Sequence, residues 1–262
     1  MKRLALVLCI IVSTCAGARA DFSQNDLDKI AATPAPDAQL PLSTRLVDEG
    51  GRPRTLGQAI GTRPAVLIFA DYTCTNLCGP ILAFAAAGLE KTKLTPGRDF
   101  HLVIVGLDPK DTLADARRME ASRIGDDAAL LKATILLKGE ADSLRALTEA
   151  AGYHYAYDRE RDQFAHPAVA YVISAQGRVT RMLSGLGLTG SDLRLALVDA
   201  GNGRVGSFAD HIRLLCYGFD PTRGVYTETI TRLLAVACVV TVVALAGTIL
   251  LLQFKTRGNA AS

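Results

Sequence analysis

The sequence predicts an α/β fold in which a central, partly parallel sheet carries helices on both faces. Three observations lead to this prediction. Apolar runs of strand length alternate with segments of helical periodicity. The uninterrupted apolar run Ala65–Ala70 is typical of a buried strand. Farther along, two short strand patterns are separated only by Ala175-Gln176-Gly177, which is the spacing of a β-hairpin.

The predicted elements alternate along one domain, residues 42–202. Strands are predicted at residues 46–52, 65–70, 100–106, 133–137, 169–174 and 178–182. Helices are predicted at residues 55–60, 81–94, 112–124, 141–151 and 191–200. Three of these helices end where glycine or proline follows, at Pro96-Gly97, Gly152 and Gly201.

Both ends of the chain carry apolar runs outside this domain. Residues 1–20 combine a charged start, an apolar run and the small-residue pattern Ala18-Arg19-Ala20, which predicts a signal peptide with cleavage before Asp21. Residues 21–41 contain three prolines and predict an extended lead-in that does not pack. Residues 203–232 form a juxtamembrane connector in this interpretation.

Residues 233–252 form a stretch of 20 residues without a charge. A helix of that length spans about 30 Å, so the stretch predicts a transmembrane helix. The tail, residues 253–262, contains Lys255 and Arg257 but no acidic residue. The positive-inside rule therefore places the tail in the cytoplasm and the globular domain on the outer, periplasmic side of the cytoplasmic membrane.

The charge pattern gives no indication of nucleic-acid binding. The chain has 29 Lys and Arg residues against 26 Asp and Glu residues, and the two signs are interspersed without a basic block. Of six cysteines, only Cys74, Cys78 and Cys216 belong to the exported part in this topology. A disulfide framework is therefore not predicted.

The Cys74 and Cys78 pair directly follows the buried strand and precedes a helical pattern. A disulfide between them would close a very small loop and would be strained, so a structural bridge is the weaker interpretation. A redox pair is one alternative, since a thiolate is favoured near a helix N-terminus. The other is a metal site, because two thiolates are soft ligands suited to Cu(I).

A copper site of this kind needs a further ligand, and histidine is the natural choice. His101 and His154 have structural roles as their default interpretation. His166 differs because it lies in a turn before a predicted strand, and Pro167 favours an extended backbone there. Two further residues have open interpretations. Asp108 either orients the site or helps proton movement in thiol exchange, or it starts a helix. Cys216 is favoured as a partly buried thiol beside the membrane, with a second copper contact together with His211 or a mixed disulfide with a partner as the alternatives.

Several motifs together resemble the Sco/SenC proteins, in the branch anchored at the C-terminus. The resemblance rests on Tyr72-Thr73-Cys74 with Cys78, on Asp108-Pro109-Lys110-Asp111-Thr112, on Tyr155-Ala156-Tyr157-Asp158, on Gln163-Phe164-Ala165-His166-Pro167, and on Cys216-Tyr217-Gly218-Phe219-Asp220-Pro221. It departs from the family pattern at Gly79, which stands where many members have proline.

The resemblance implies a thioredoxin-like fold and copper bound by Cys74, Cys78 and His166, as Cu(I) and with Cu(II) as a second possibility. It implies a role in assembling the CuA centre of cytochrome c oxidase, with the subunit that carries CuA, other periplasmic copper chaperones and thiol reductants as partners. The alternative is a membrane-tethered thiol-disulfide reductase or peroxidase in which Cys74 and Cys78 are catalytic without copper. Helix-start dithiols suit both functions.

Overall fold

The computed structural model describes residues 30–74, 78–159, 162–201, 217–220, 225–228 and 240–241. The strands are β1 (Ala31–Ala32), β2 (Arg45–Asp48), β3 (Pro53–Thr55), β4 (Ala65–Ala70), β5 (His101–Gly106), β6 (Thr134–Lys138), β7 (Tyr153–His154), β8 (Ala156–Asp158), β9 (Gln163–Ala165), β10 (Val169–Ile173), β11 (Val179–Ser184), β12 (Tyr217–Asp220) and β13 (Val225–Glu228). The α-helices are α1 (Leu56–Ile60), α2 (Cys78–Lys91), α3 (Leu113–Arg123), α4 (Ala128–Ala133), α5 (Ala141–Ala150) and α6 (Gly190–Ala200). A 3-10 turn, Gly185–Gly187, joins β11 to α6.

Seven strands form the central sheet in the order β11-β10-β4-β5-β6-β2-β3. Strands β4, β5 and β6 pair in parallel, whereas the other neighbours pair antiparallel. The sheet is therefore mixed, which confirms the predicted α/β class and its thioredoxin-like form. Every strand and helix predicted in the core of the domain is present, with ends shifted by a few residues.

Strand β4 lies at the centre and is buried on both faces, since all six of its residues are inaccessible to solvent. Val66 and Ile68 pack against the apolar sides of α2, α3 and α6. Leu67 and Phe69 point to the other face, against residues of α1 and α5. Each face therefore removes a continuous apolar layer from water, which is the main stabilising contribution to such a sheet.

Parallel strands bring their carboxyl ends to one edge of a sheet, and this determines where the loops after β4 and β5 meet. Tyr72 fixes the loop after β4 to strands β5 and β6, because its hydroxyl is shared between the carbonyl oxygens of Ile104 (2.9 Å) and Leu137 (2.7 Å). Gly106, the last residue of β5, makes room for the Tyr72 ring. A Cβ atom at this position would lie 2.6 Å from that ring.

The lead-in prediction was wrong where the structure describes it. Strand β1 pairs with β7, and Leu40 is buried in the core. The Leu40 N–H donates to the Gly177 oxygen at 2.9 Å. Proline restricts the backbone but does not prevent packing, and here the segment carries a core leucine across the end of the β10–β11 hairpin.

Three further features were not predicted from the sequence. These are the short helix α4, the hairpin formed by β8 and β9, and the hairpin formed by β12 and β13. In the part of the chain that the structure describes, no helix has the length and apolar character needed to cross a membrane. The predicted signal peptide lies outside the described residues, as does the predicted transmembrane helix 233–252 apart from residues 240–241, which are helical.

Candidate functional site

Cys74 and Cys78 lie between the end of β4 and the start of α2. Cys74 is half-buried in the turn after β4, and its N–H donates to the Asp71 carbonyl oxygen at 3.2 Å. Cys78 is the first residue of α2, which begins three residues before the predicted start of this helix at residue 81. Cys74 is not helical, so the two cysteines are not two positions on one helix. The Cys78 side chain lies outside the described part of the structure.

Asp71 connects this turn to the segment that carries His166. Its carboxylate is completely buried. One oxygen, Oδ1, accepts from the Thr73 N–H at 3.0 Å and from the Thr73 hydroxyl at 2.9 Å. The other, Oδ2, accepts from the Phe164 N–H in β9 at 2.9 Å. One side chain thus fixes the residue before Cys74 and a residue two positions before His166.

His166 is half-buried and is oriented by Tyr153 and Pro167. Its Nδ1 lies 2.7 Å from the Tyr153 hydroxyl and 3.2 Å from the Pro167 carbonyl oxygen, and the Tyr153 hydroxyl donates to that carbonyl at 3.0 Å. A carbonyl oxygen only accepts, so one arrangement satisfies all three atoms: Nδ1–H donates to the tyrosine oxygen, whose proton goes to Pro167. Nε2 then carries no proton, which is the form of imidazole that binds metals.

The electrostatics of His166 bring Cys74 into the same site. Burial lowers the pKa of His166, while the nearby Pro167 carbonyl oxygen and the charges of Cys74 and Asp71 oppose this. Such an effect requires the sulfur and the imidazole to lie near each other. Two of the three predicted ligands therefore interact electrostatically, and the predicted third ligand, Cys78, begins the adjacent helix.

Buried carboxyl groups line the inner side of the Cys74 turn. Asp111 Oδ2 accepts from the Tyr72 N–H at 2.8 Å, and Asp108 Oδ1 accepts from the Lys110 N–H at 2.8 Å. Burial, together with the charges of Asp71 and Asp108, raises the pKa of Asp111 to about 7, against its hydrogen bond from Tyr72. A carboxyl group of this kind can take up or release a proton near neutral pH.

Asp108 does not start a helix, so that interpretation was wrong. The N-cap of α3 is Thr112, which forms a capping box with Asp115. Asp108 instead closes the turn before it, since its carbonyl oxygen accepts from the Asp111 N–H at 3.1 Å. The Lys138 ammonium donates to the Asp111 carbonyl at 2.6 Å and fixes this turn to β6.

Two other histidines lie in the described part of the chain, and both are away from the Cys74 turn or exposed. His101 is the first residue of β5, at the opposite end of that strand from the Cys74 turn, and burial lowers its pKa. His154 is exposed in β7. Within the described side chains, no group of three or more His, Cys, Asp or Glu residues is arranged as a metal site. Cys216 lies outside the described residues.

Sequence reasoning missed Asp71, Asp111 and Tyr153. Asp71 and Asp111 were inside quoted motifs or next to them, and an aspartate directly after a buried strand is the signal that points to the first. Tyr153 gave no local signal. Its contact with His166 depends on the paths of two separate segments through the fold.

Comparisons with known proteins give a family and a fold. A family model described as SCO1/SenC matches residues 34–192. A sequence comparison with curated proteins gave no match. Among solved structures, a putative electron transfer protein from Aquifex aeolicus is 24% identical, with a TM-score of 0.56 and coverage of 67% of this chain and 98% of its own.

Two further structures agree in fold. A putative electron transport protein from Aquifex aeolicus is 24% identical, with a TM-score of 0.51 and coverage of 64% of this chain and 99% of its own. Copper-bound ScoI from Arabidopsis thaliana is 18% identical, with a TM-score of 0.51 and coverage of 63% of this chain and 98% of its own.

Proposed function

The chain belongs to the SCO1/SenC family, and on that premise we propose that it binds copper through Cys74, Cys78 and His166 and assists maturation of the CuA centre of cytochrome c oxidase. Copper is cargo in this function. The observation that carries the proposal is the Asp71 carboxylate, which fixes Thr73 beside Cys74 and Phe164 near His166. A relative of the same fold, ScoI from Arabidopsis thaliana, was crystallised with copper bound.

The ligand chemistry fits a copper ion. Thiolate sulfur and imidazole nitrogen are ligands that Cu(I) accepts, and a site with three protein ligands leaves a position for exchange with a partner. The proposed His166 tautomer supplies Nε2 as the donor atom. The partners in this proposal are the oxidase subunit that carries CuA, other copper chaperones and thiol reductants.

The proposed location is the outer face of the cytoplasmic membrane. It follows from the signal peptide predicted at residues 1–20 and the transmembrane helix predicted at residues 233–252. The domain would then work in a compartment where close thiols tend to oxidise. Protease protection of spheroplasts, with an antibody to the domain, tests this topology: a domain protected until lysis would contradict it.

Oxidation of the cysteine pair controls copper loading in this proposal, because both sulfurs would bind the metal only as thiolates. Titration of the reduced protein with Cu(I) against a chromophoric chelator should show one copper bound per chain. Cys74→Ser and His166→Ala should each weaken binding, and the oxidised protein should not bind. Stoichiometric Cu(I) binding by the Cys74→Ser variant would contradict the proposal.

A second function, thiol-disulfide exchange or peroxide reduction without copper, is favoured by one observation. Asp111 is a buried carboxyl group with a pKa of about 7 behind the Cys74 turn, and it suits proton transfer to or from a thiol. The two functions differ at His166. Loss of oxidase activity and of its copper in cells carrying His166→Ala supports copper delivery, whereas full activity in those cells supports the metal-free function.

A further inference from the structure

A cleft of about 270 Å³ opens on the solvent side of Cys74. Its walls come from the turn after β4 and from the second half of helix α3. The lining residues are Tyr72, Thr73, Cys74, Arg118, Met119, Ser122 and Arg123. The cleft therefore gives access from solvent to Cys74, on the side formed by α3.

The charges in this cleft have one sign. Among the residues that the structure describes, Arg118 and Arg123 are its only charged lining residues, and no carboxylate lines it. Arg118 is largely exposed and holds Asp115 at 3.0 Å through Nη1, which leaves its other nitrogens for a second contact. Arg123 is half-buried in the last turn of α3. Asp71 and Asp111 lie behind the turn, hydrogen-bonded to backbone N–H groups and buried from the cleft.

We propose that this cleft is a docking site for an acidic, cysteine-bearing peptide segment of a partner protein, with Arg118 and Arg123 holding carboxylates on either side of the partner sulfur. Guanidinium groups recognise carboxylates by paired hydrogen bonds and by charge. Because Cys74 itself lines the cleft, the segment is held where its sulfur can react. This inference rests on the proposed function only in requiring that Cys74 reacts through sulfur.

The reaction at the docked segment is thiol-disulfide exchange. The Cys74 thiolate attacks one sulfur of a partner disulfide, forming a mixed disulfide and releasing the other partner sulfur as a thiolate. The Cys78 thiolate then attacks the Cys74 sulfur and releases the second partner thiolate. The partner gains two electrons, and the Cys74–Cys78 pair loses two and becomes a disulfide. Each released thiolate takes its proton from solvent.

The experiment compares two synthetic disulfide-linked peptide dimers whose single cysteine is flanked either by aspartates or by lysines. The full chain is reduced, freed of reductant and mixed with each dimer. Alkylation and mass spectrometry then follow the peptide that contains both Cys74 and Cys78, so the cysteines elsewhere in the chain do not interfere. The measured quantity is the ratio of the rate with the aspartate dimer to the rate with the lysine dimer. The ratio cancels any change in the nucleophilicity of Cys74.

The unmodified chain should prefer the aspartate dimer. Arg118→Glu with Arg123→Glu should lower the ratio about tenfold at low salt, and added salt should bring the ratio of the unmodified chain toward one. The milder pair Arg118→Gln with Arg123→Gln should lower it by less. This pair serves as the second measurement because a carboxylate in place of the Arg118 guanidinium would repel Asp115 and disturb the start of α3.

The matched control is Arg63→Glu with Arg98→Glu, which changes the net charge equally. Arg63 precedes β4 and Arg98 precedes β5, so both lie at the end of the sheet opposite Cys74. In this control the ratio of the two rates should stay within about twofold of its value in the unmodified chain. An equal ratio in the cleft variants and the unmodified chain, or an equal fall in the control, overturns the docking site. Absence of any reaction at Cys74 overturns the thiol chemistry of the proposed function as well.

Discussion

The two nitrogens of the His166 ring have different tasks. Nδ1 is occupied by the Tyr153 hydroxyl and the Pro167 carbonyl, so the protein determines which nitrogen carries the proton before any metal arrives. Metal-binding histidines generally depend on such a contact from their other nitrogen. In the proposed copper site, Tyr153 would therefore be a positioning residue that orients His166.

Replacing Tyr153 by Phe should loosen this arrangement. Cu(I) affinity should fall about tenfold, and stability by about 1 kcal/mol, because one hydrogen bond to each of two groups is lost. Nitrogen-15 NMR of the metal-free protein should show a mixture of His166 tautomers. Tyr171→Phe is the matched control: Tyr171 packs against the same Tyr153 ring, but within the described residues its hydroxyl has no hydrogen-bond partner. An unchanged tautomer in Tyr153→Phe would contradict the assignment.

Asp71→Asn should weaken the connection between the Cys74 turn and the segment that carries His166. An amide has one acceptor oxygen, so it cannot accept from both Thr73 and the Phe164 N–H. Stability should fall by about 1–3 kcal/mol, and Cu(I) affinity should fall as well. Asp48→Asn, at an equally buried aspartate in β2 that also accepts from backbone N–H groups, should cost stability without changing copper affinity. Equal copper affinities in the two variants would be the contrary result.

At the scale of elements, the Cys74 turn depends on the end of β5. The Tyr72 ring lies over Gly106, the last residue of β5, and the Tyr72 hydroxyl contacts carbonyl oxygens of β5 and β6. The position of the Cys74 turn relative to the sheet therefore depends on the end of β5. Any side chain at Gly106 would push the ring away, because a Cβ atom there would lie 2.6 Å from it.

Gly106→Ala should therefore lower the free energy of unfolding by about 1–3 kcal/mol, even though alanine usually suits a strand better than glycine. Copper binding should weaken with it, because Tyr72 precedes Cys74 by two residues. Urea unfolding measures the first effect and chelator competition the second. Gly185→Ala, where the nearest atom to the new Cβ would be 3.9 Å away, should leave both nearly unchanged. A Gly106→Ala variant as stable as the unmodified chain would contradict this prediction, because Tyr72 and its turn would then have moved without cost to make room for the new Cβ atom.

The sequence predicted the long elements because their periodicity is strong. Strand β4 is apolar throughout, and the five helices expected from pattern are all present. The β8–β9 hairpin escaped prediction because three-residue strands carry too little pattern to recognise. Cys74 and His166 were selected from chemistry and resemblance. The connection between them through Asp71, and the contact of Tyr153 with His166, depend on how distant segments meet in the fold, which no local pattern shows.

For the whole molecule, Asp111 makes stability depend on pH. An acid whose pKa is higher in the folded chain than in the unfolded chain keeps its proton mainly when folded. The folded state therefore binds more protons between about pH 4 and pH 7, and the free energy of unfolding falls as the pH rises through that window. The slope for one proton is at most about 1.4 kcal/mol per pH unit.

Asp111→Asn should flatten this part of the curve, because an amide does not titrate and its oxygen can still accept from the Tyr72 N–H. Urea unfolding at several pH values between about 4 and 8 measures the difference between the variant and the unmodified chain. The free energy of unfolding of the variant, relative to that of the unmodified chain, should increase toward neutral pH. Asp127→Asn, at the N-cap of α4, is the control for a carboxyl-to-amide change elsewhere. Parallel curves for Asp111→Asn and the unmodified chain would contradict the prediction.

The hydrogen bond from Phe164 to Asp71 joins residues 93 positions apart in the sequence. A contact over such a distance forms only after a long loop has closed, and β10 must first return to pair with β4. The thiol of Cys74 and the imidazole of His166 therefore meet late in folding. A chain still emerging from synthesis has its cysteines but not the assembled candidate site, so the proposed ability to hold copper would be acquired only when the domain is complete.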